Sequence, residues 1–217
     1  MKHRPMSVAA ALAVTAALLL TACGGGEEDN SKGSDKIEGA ETGRAKKSES
    51  PSASSAADRP EVKLPSGVKD VYEQWKTGSS DKDAVLSDTA SRIDSTNDAI
   101  VRGDTGAQGL SFYYKDEALS DVVEWVQKYL DANMSFTGTT RYYAPKVMLS
   151  GGKTASVVYC ADESKGFNKN RKTGKVDKSS SGESPYVLYN TRLKKNDQGV
   201  WQTTDLASQR GEASCKQ

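Results

Sequence analysis

The spacing of the apolar side chains changes along the chain, and this change limits the folds that are open to it. Between about residues 66 and 130, large apolar residues recur every three or four positions, as on one face of a helix. From Thr139 onward they alternate with polar residues, as in a strand with one buried face. Helices followed by consecutive antiparallel strands predict an α+β domain, with the helices packed on one face of a curved antiparallel sheet of about four strands.

Three helices are predicted from this spacing. In chain order they are the stripe from Val68 to Trp75 ending at Gly78, the stripe from Ala84 to Val101 between an Asp81 cap and Gly103, and the stripe from Leu119 to Leu130 after an Asp116 cap. Residues 109–114 suggest a short strand. Trp125 and Tyr129 widen the apolar face of the third helix, so we expect neighbouring elements to cover it on two sides.

The second half of the chain predicts four strands joined by turns. The strands are Thr139–Leu149, Thr154–Ala161, Tyr186–Lys195 and Val200–Gln209. The connection from about 162 to 185 is expected to be a long polar loop, and its basic residues are Lys165, Lys169, Arg171, Lys172, Lys175 and Lys178. They could meet anionic lipid headgroups or teichoic polymers, but the favoured interpretation is a solvated loop.

The first residues have the pattern of a secretory signal. A basic start at residues 2–4 precedes an apolar run from Met6 to Leu20. That run is about 15 residues, whereas a membrane-spanning helix needs about 20. It therefore predicts an export signal rather than a permanent anchor.

Leu20-Thr21-Ala22-Cys23 follows this run directly and resembles the lipobox of bacterial lipoproteins. The resemblance implies a signal peptide at 1–22, cleavage between Ala22 and Cys23, and a thioether-linked diacylglycerol on Cys23. It places the mature chain on the extracytoplasmic face of the cell membrane, where two acyl chains give durable anchoring. The alternatives are an ordinary cleaved signal with an incidental cysteine, or an uncleaved helix.

Residues 23–60 have the composition of a spacer. Ile37 is the only large apolar residue between Gly24 and Pro60, so this segment is expected to be a disordered tether. A flexible chain of this length reaches roughly 30–35 Å. Apolar density rises at Val62, which predicts a globular domain at 61–217.

The charge balance and the histidine count argue against several classes of function. The chain has 30 basic and 29 acidic side chains, so no electrostatic argument favours a nucleic-acid partner. Its single histidine, His3, lies in the predicted signal peptide. A mature chain without imidazole has no Ser-His-Asp triad, no Cys-His pair and no His-ligated metal. We therefore expect neither a metal nor a cofactor.

The two remaining cysteines are expected to form a structural disulfide. Export places Cys160 and Cys215 in an oxidising compartment, where two leftover thiols generally pair. A redox-active or metal-binding pair is the alternative, but the two cysteines have no CxxC spacing.

The order of predicted elements over 66–210, together with the ending Tyr186…Leu193…Gly199-Val200-Trp201, resembles the nuclear-transport-factor-two-like cone. The segment 157–162 and the terminal cysteine also resemble secreted domains of actinobacterial lipoproteins. One departure is that the cone family usually has a hairpin before its main helix, where this chain shows a single weak strand.

The cone resemblance implies a cavity between the sheet and the helices. The candidate lining residues are Trp75, Tyr113, Trp125, Tyr142, Asp162 and Arg192. A buried Asp162 with a raised pKa could serve as a general base. The alternative is that the aromatic residues are ordinary core and that Asp162 opens a turn.

Three functions remain open. The leading hypothesis is a non-enzymatic envelope module that binds a small ligand or a protein partner. The second is a cyclase- or dehydratase-type enzyme that uses Asp and Tyr in the cavity, and the third is a structural subunit of an envelope complex. An open polar pocket with a buried acid would support chemistry, whereas a pocket filled by Trp and Tyr would support binding or structure.

Overall fold

The computed structural model describes residues 57–179 and 182–216. The predicted signal peptide, Cys23 and residues 24–56 of the predicted tether lie outside the described residues. The elements are β1 Val68–Tyr72, α1 Ser80–Arg102, α2 Gln108–Tyr113, α3 Glu117–Asp131, β2 Met134–Ser150, β3 Thr154–Asn170, β4 Val176–Asp177, β5 Tyr186–Lys195, β6 Trp201–Arg210 and a 3₁₀ turn at Ala213–Cys215.

The strands form one sheet in the order β1-β2-β3-β5-β6, with β4 paired to β3. β1 runs parallel to β2, and all other pairs are antiparallel. The four predicted strands are present, and β1 and β4 complete a six-stranded sheet. Apolar residues of α1 pack with inward-facing residues of β2, β3, β5 and β6 in one core cluster. The predicted α+β class is confirmed.

The first predicted helix is wrong, because residues 68–72 form strand β1 beside β2. Asp70 and Tyr72 are two residues apart and both reach α1, where they bond Asn97 and Asp94 respectively. Alternate residues of a strand share a face in this way. Over so short a window the helical spacing is ambiguous, and pairing with β2 decides the outcome.

The predicted strand at 109–114 is also wrong, because Gln108–Tyr113 form helix α2. A helix of six residues is too short to display its period in the sequence. Gly109 lets this helix approach α1 closely, since a Cβ on it would lie 2.3 Å from Ser95 Oγ.

The two other predicted helices are present. α1 ends at Gly103, whose φ of 77° places it in the left-handed conformation common after helices. The predicted Asp81 cap is wrong, because Ser79 occupies that position. α3 buries Val122 and Val126, but Trp125 is 50% exposed, so the expectation that this helix is covered on two sides is wrong as well. No helix of the described ranges has the length and apolar character to cross a membrane.

The first part of the predicted long loop at 162–185 is strand. β3 continues to Asn170, and the chain turns back to pair β4 with its end. β2 begins at Met134 rather than near Thr139, so the two strands pair along their whole length. Backbone pairing therefore orders most of the lysine-rich segment.

The predicted disulfide is confirmed. Cys160 and Cys215 are bonded, with their Cα atoms 5.5 Å apart. Closing a loop with a sequence separation of 55 stabilises a fold by about 4 kcal/mol in the chain-entropy model. The bridge packs with Tyr143, whose hydroxyl donates to the Cys215 carbonyl, and it fixes the C-terminal turn to the sheet.

The segment before β1 is held on α1 by an ion pair. Arg59 Nε and Nη2 donate to the two carboxylate oxygens of Asp88 at 2.8 and 3.1 Å. Asp88 is 1% exposed, and its Oδ2 also accepts from the Trp201 backbone N–H at 2.9 Å. One buried carboxylate therefore joins the N-terminal segment, α1 and β6.

Replacing Arg59 by Ala should destabilise the domain by about 2–3 kcal/mol, because it removes the cation that compensates a buried carboxylate. Urea denaturation measures this change in the free energy of unfolding. Lys63→Ala is the matched control, since Lys63 pairs with Glu61 at a surface where both side chains are over 70% exposed. That control should cost less than about 0.5 kcal/mol, and equal costs for the two variants would contradict the role given to Arg59.

Candidate functional site

The inner face of the sheet, where the cone resemblance implies a cavity, is crossed by α1. The residues of this helix that face the sheet follow the helical period but are not uniformly apolar. Buried polar members are Asp88, Thr89, Arg92 and Ser95. The surroundings of these polar groups therefore define the chemistry of the inner face.

Arg92 is the cation at the centre of this face and is 3% exposed. Its Nη2 donates to Tyr159 Oη at 2.7 Å, and its Nη1 donates to Tyr114 Oη at 3.2 Å. The guanidinium carbon lies 5.5 Å from the centroid of the Tyr114 ring. Burial opposes the charge, but the two tyrosines raise the pKa of Arg92, so it stays protonated. Within the described ranges Arg92 forms no ion pair with a carboxylate.

Aromatic rings fill the space around Arg92. Tyr72 stacks on Tyr142 with centroids 5.3 Å apart, and Tyr159 stacks on Tyr189 at 5.1 Å. Trp75 meets the edge of Tyr159 at 5.5 Å. The indole N–H of Trp75 donates to the Leu86 carbonyl at 2.8 Å, which fixes this ring against α1. The inner face is therefore packed with side chains.

Two carboxyl groups lie side by side where β1 meets α1. Asp70 and Asp94 lie close enough for each carboxyl group to influence the pKa of the other. Asp70 accepts from Asn97 Nδ2 at 2.7 Å, and Asp94 accepts from the Tyr72 hydroxyl at 2.6 Å. Burial, with the neighbouring Asp94 carboxylate, raises the pKa of Asp70 to about 7, although the Asn97 hydrogen bond opposes this shift. The pair therefore holds one proton in the folded protein below neutral pH.

Two open grooves lie at the margins of the sheet. One, of about 550 Å³, is lined by Tyr72, Gln74, Trp75, Lys76, Asp83 and Ser87. The other, of about 230 Å³, lies on the outer face and is lined by Val71, Glu73, Thr139, Arg141, Asp162, Ser164 and Lys165. Within residues 57–179 and 182–216, no group of three or more His, Cys, Asp or Glu is arranged to hold a metal ion.

Of the six residues predicted to line a cavity, only Trp75 and Tyr142 belong to the aromatic cluster on the inner face. Tyr113 is buried on α2. Burial, together with the Asp88 carboxylate, raises the pKa of its hydroxyl. Trp125 is half exposed on α3, and Arg192 is exposed on β5 with a loose ion pair to Asp205. These last two residues line neither groove.

Asp162 does not have the environment expected of a general base. It faces the outer side of the sheet, where Arg141 Nη2 lies 3.3 Å from its carboxylate and the Ser164 backbone N–H donates to it at 2.9 Å. Burial alone would raise the pKa of Asp162, but these partners lower it below the usual range. The hypothesis of a buried Asp162 with a raised pKa is therefore wrong, because the strand alternation directs this residue away from the helices.

Sequence reasoning missed Asp70, Arg92, Asp94 and Tyr159, which carry most of the polar chemistry on the inner face. One signal was available. Arg92 stands four residues after Asp88 and next to Ile93, within a stripe that the period marks as buried. Charged residues in such a stripe indicate a buried polar network.

The sequence matches no family model and no curated protein. Among solved structures, the chain is similar to a ketosteroid isomerase-like protein from Erwinia carotovora atroseptica, at 19% identity over 57% of this chain and 93% of that chain, with a TM-score of 0.37. It is similar to an NTF-2-like protein of unknown function from Shewanella oneidensis, at 19% identity over 57% and 98%, with a TM-score of 0.34. A third is a hexachlorocyclohexane dehydrochlorinase from Novosphingobium barchaimii, at 9% identity over 61% and 90%, with a TM-score of 0.43. Similarity at this level carries no inference about activity, and the α+β class rests on the strand order and helix packing described above.

The raised pKa of Asp70 makes stability depend on pH. Because the folded pKa of Asp70 is raised to about 7, the folded state holds a proton that the unfolded chain loses near its ordinary pKa of about 4. The free energy of unfolding attributable to this group therefore falls as the pH rises from about 4 to 7. Asp70→Asn mimics the protonated form and should be stabilised relative to wild type by up to about 4 kcal/mol more at pH 8 than at pH 4, since the shift spans about three pKa units.

Urea denaturation at the two pH values measures that difference. Asp121→Asn on the exposed surface of α3 is the control and should show no such change. A pH profile of Asp70→Asn that parallels the wild-type profile would show that Asp70 is ionised in the fold.

Proposed function

We propose that this chain is an extracytoplasmic lipoprotein whose α+β domain is a non-catalytic binding module of the cell envelope. The observation that carries the proposal is the packed inner face. Tyr72 stacks on Tyr142 and Tyr159 on Tyr189, and Tyr159 also accepts a hydrogen bond from buried Arg92. A domain packed in this way meets its partner through its surface.

The proposed anchor is diacylglycerol on Cys23, supported by the lipobox-like Leu20-Thr21-Ala22-Cys23 directly after the apolar run. A disulfide between Cys160 and Cys215 is consistent with folding outside the cytoplasm. The proposed location is the outer face of the cell membrane, with residues 24–56 as the spacer between lipid and domain.

An enzyme that uses the Asp70–Asp94 pair is the second candidate. A carboxyl group with a pKa of about 7 beside the hydroxyls of Tyr72 and Tyr142 could exchange protons with a substrate. The groove beside Tyr72 and Trp75 gives such a site its nearest opening. Because the stacked rings fill the inner face, the binding module remains the leading proposal.

Native mass spectrometry of the protein extracted in detergent from its own cells tests the proposal. We expect a chain that begins at Cys23 with added acyl mass, and an inner face that retains no small molecule. The Cys23→Ala variant should lack the acyl mass and leave the membrane fraction, because alanine has no thiol to carry the proposed diacylglycerol.

Wild-type retention of Cys23→Ala in the membrane would contradict the lipid anchor. A stoichiometric small molecule that is released on unfolding, and is lost when Asp70 is replaced by Asn, would contradict the non-catalytic module and support the enzyme.

A further inference from the structure

The ribbon formed by the far half of β3 and by β4 carries a concentration of positive charge. Residues 164–179 contain six basic side chains and a single acidic one, Asp177. The carboxylate of Asp177 accepts hydrogen bonds from the Ser179 backbone N–H and hydroxyl at 2.9 and 2.6 Å. The charge of this ribbon is therefore left largely uncompensated within its own segment.

Strand pairing places these lysines on one side of the sheet. Lys165, Phe167 and Lys169 alternate along β3 and so share a face. Val176 lies opposite Lys169, and Lys178 is two residues further along, with its ammonium 5.9 Å from the Phe167 ring centroid. Lys69 of β1 joins the same face, because both Lys69 and Lys165 pair with Thr139 of β2. We call the surface formed by Lys69, Lys165, Phe167, Lys169, Val176 and Lys178 the basic face.

Neighbouring carboxylates pair with arginines instead of with these lysines. Arg141 contacts Glu73 at 3.0 Å and Asp162 at 3.3 Å, and Arg210 contacts Glu163 at 2.7 Å. Within residues 57–179 and 182–216, Lys165 and Lys169 form no ion pair, and both are exposed. Their charge is available to an external partner.

The ribbon is fixed to the body of the domain. Arg171 lies at the tip of the ribbon, and its side chain points toward the domain. Its Nε donates to the Met134 carbonyl at 2.9 Å and its Nη1 to the Val101 carbonyl at 3.2 Å. Its Nη2 donates to the Ile100 carbonyl. The Ile100 and Val101 carbonyls lie at the end of α1, where a cation is favoured by the helix dipole. The basic face is therefore preorganised and needs little ordering on binding.

We propose that the basic face docks on the anionic phospholipid headgroups of the membrane to which the chain is tethered. This inference rests on the proposed lipid anchor. Lysines attract an anionic bilayer surface, and the half-buried Phe167 and Val176 between them suit the boundary between headgroups and acyl chains. The proposed tether at 23–60 keeps the face at high effective concentration near the surface, so weak contacts are sufficient.

The test uses the unacylated chain from Gly24 to Gln217, which contains every described residue, so that lipid on Cys23 does not contribute. Binding is measured by sedimentation with vesicles of phosphatidylcholine alone or with about 30% phosphatidylglycerol. We expect binding to the anionic vesicles only, weakening as salt is raised.

The triple variant Lys165→Gln, Lys169→Gln and Lys178→Gln should bind these vesicles on the order of 100-fold more weakly, since each lysine near an anionic surface contributes roughly fivefold. The matched control removes equal charge elsewhere, through Lys115→Gln, Lys128→Gln and Lys153→Gln, and should lose less than about threefold. Unchanged thermal unfolding of both variants shows that the fold is intact.

Equal losses in the two triple variants would overturn the docking face and leave only a general charge effect. Lysine-dependent binding to a poly(glycerol phosphate) polymer, without binding to vesicles, would overturn it in favour of a wall polymer. Because the assay omits Cys23, failure of the basic face here is distinct from failure of the anchor, which the acyl mass of the native chain decides.

Discussion

A buried arginine held by tyrosine hydroxyls is the constraint on which the inner half of this domain depends. An unpaired guanidinium in an apolar core would cost several kcal/mol, so a chain that buries one must surround it with hydrogen-bond acceptors. Tyr159 and Tyr114 supply acceptors for Nη2 and Nη1, whereas Nε has no hydrogen-bond partner among the described residues, and the two rings add apolar surface to the core. The inner face is consequently both polar and closely packed. This combination leads us to favour surface binding over catalysis.

An ion pair with a buried carboxylate fixes the start of the described chain, and a disulfide fixes its end. Asp88, one turn before Arg92, is compensated by Arg59 from the N-terminal segment and by the Trp201 backbone N–H. At the other end, the Cys160–Cys215 bond holds the terminal turn on the outer face, with Tyr143 against it. Buried charge on one face and a covalent bond on the other thus fix both ends of the described chain.

The sequence predicted the fold class, the four long strands, two of the three helices and the disulfide, because each rests on a periodicity or on the two cysteines that remain once Cys23 is assigned to the predicted lipobox. It failed at 68–72 and 109–114, where the windows are too short for a helical period to be told from strand alternation. It also failed for the inner face. Tyr142 and Trp75 were predicted from the sequence as aromatic residues of this face. The roles of Arg92 and Asp70 depend on tertiary contacts with Tyr159 and Asp94, which the sequence alone does not display. Asp162 was misjudged because one residue of register decides which face a strand residue occupies.

The two faces of the sheet have different physical characters. The inner face is aromatic and packed with side chains, whereas the outer face carries exposed lysines and paired carboxylates. A domain of this kind can present its charged side to an anionic surface without any change in its core. The division explains how a nearly neutral chain, with 30 basic and 29 acidic groups, still has a strongly polarised surface.

The closed inner face is tested most directly by spectrophotometric titration of the tyrosines in the folded protein. Burial raises the pKa of Tyr72, Tyr142, Tyr159 and Tyr189 above the ordinary value near 10. These four of the nine tyrosines should therefore ionise only when the domain unfolds in alkali, which Tyr→Phe variants can assign one by one. Reversible ionisation of all nine tyrosines near pH 10, in a domain that is still folded, would show that water reaches the inner face and would contradict the closed core.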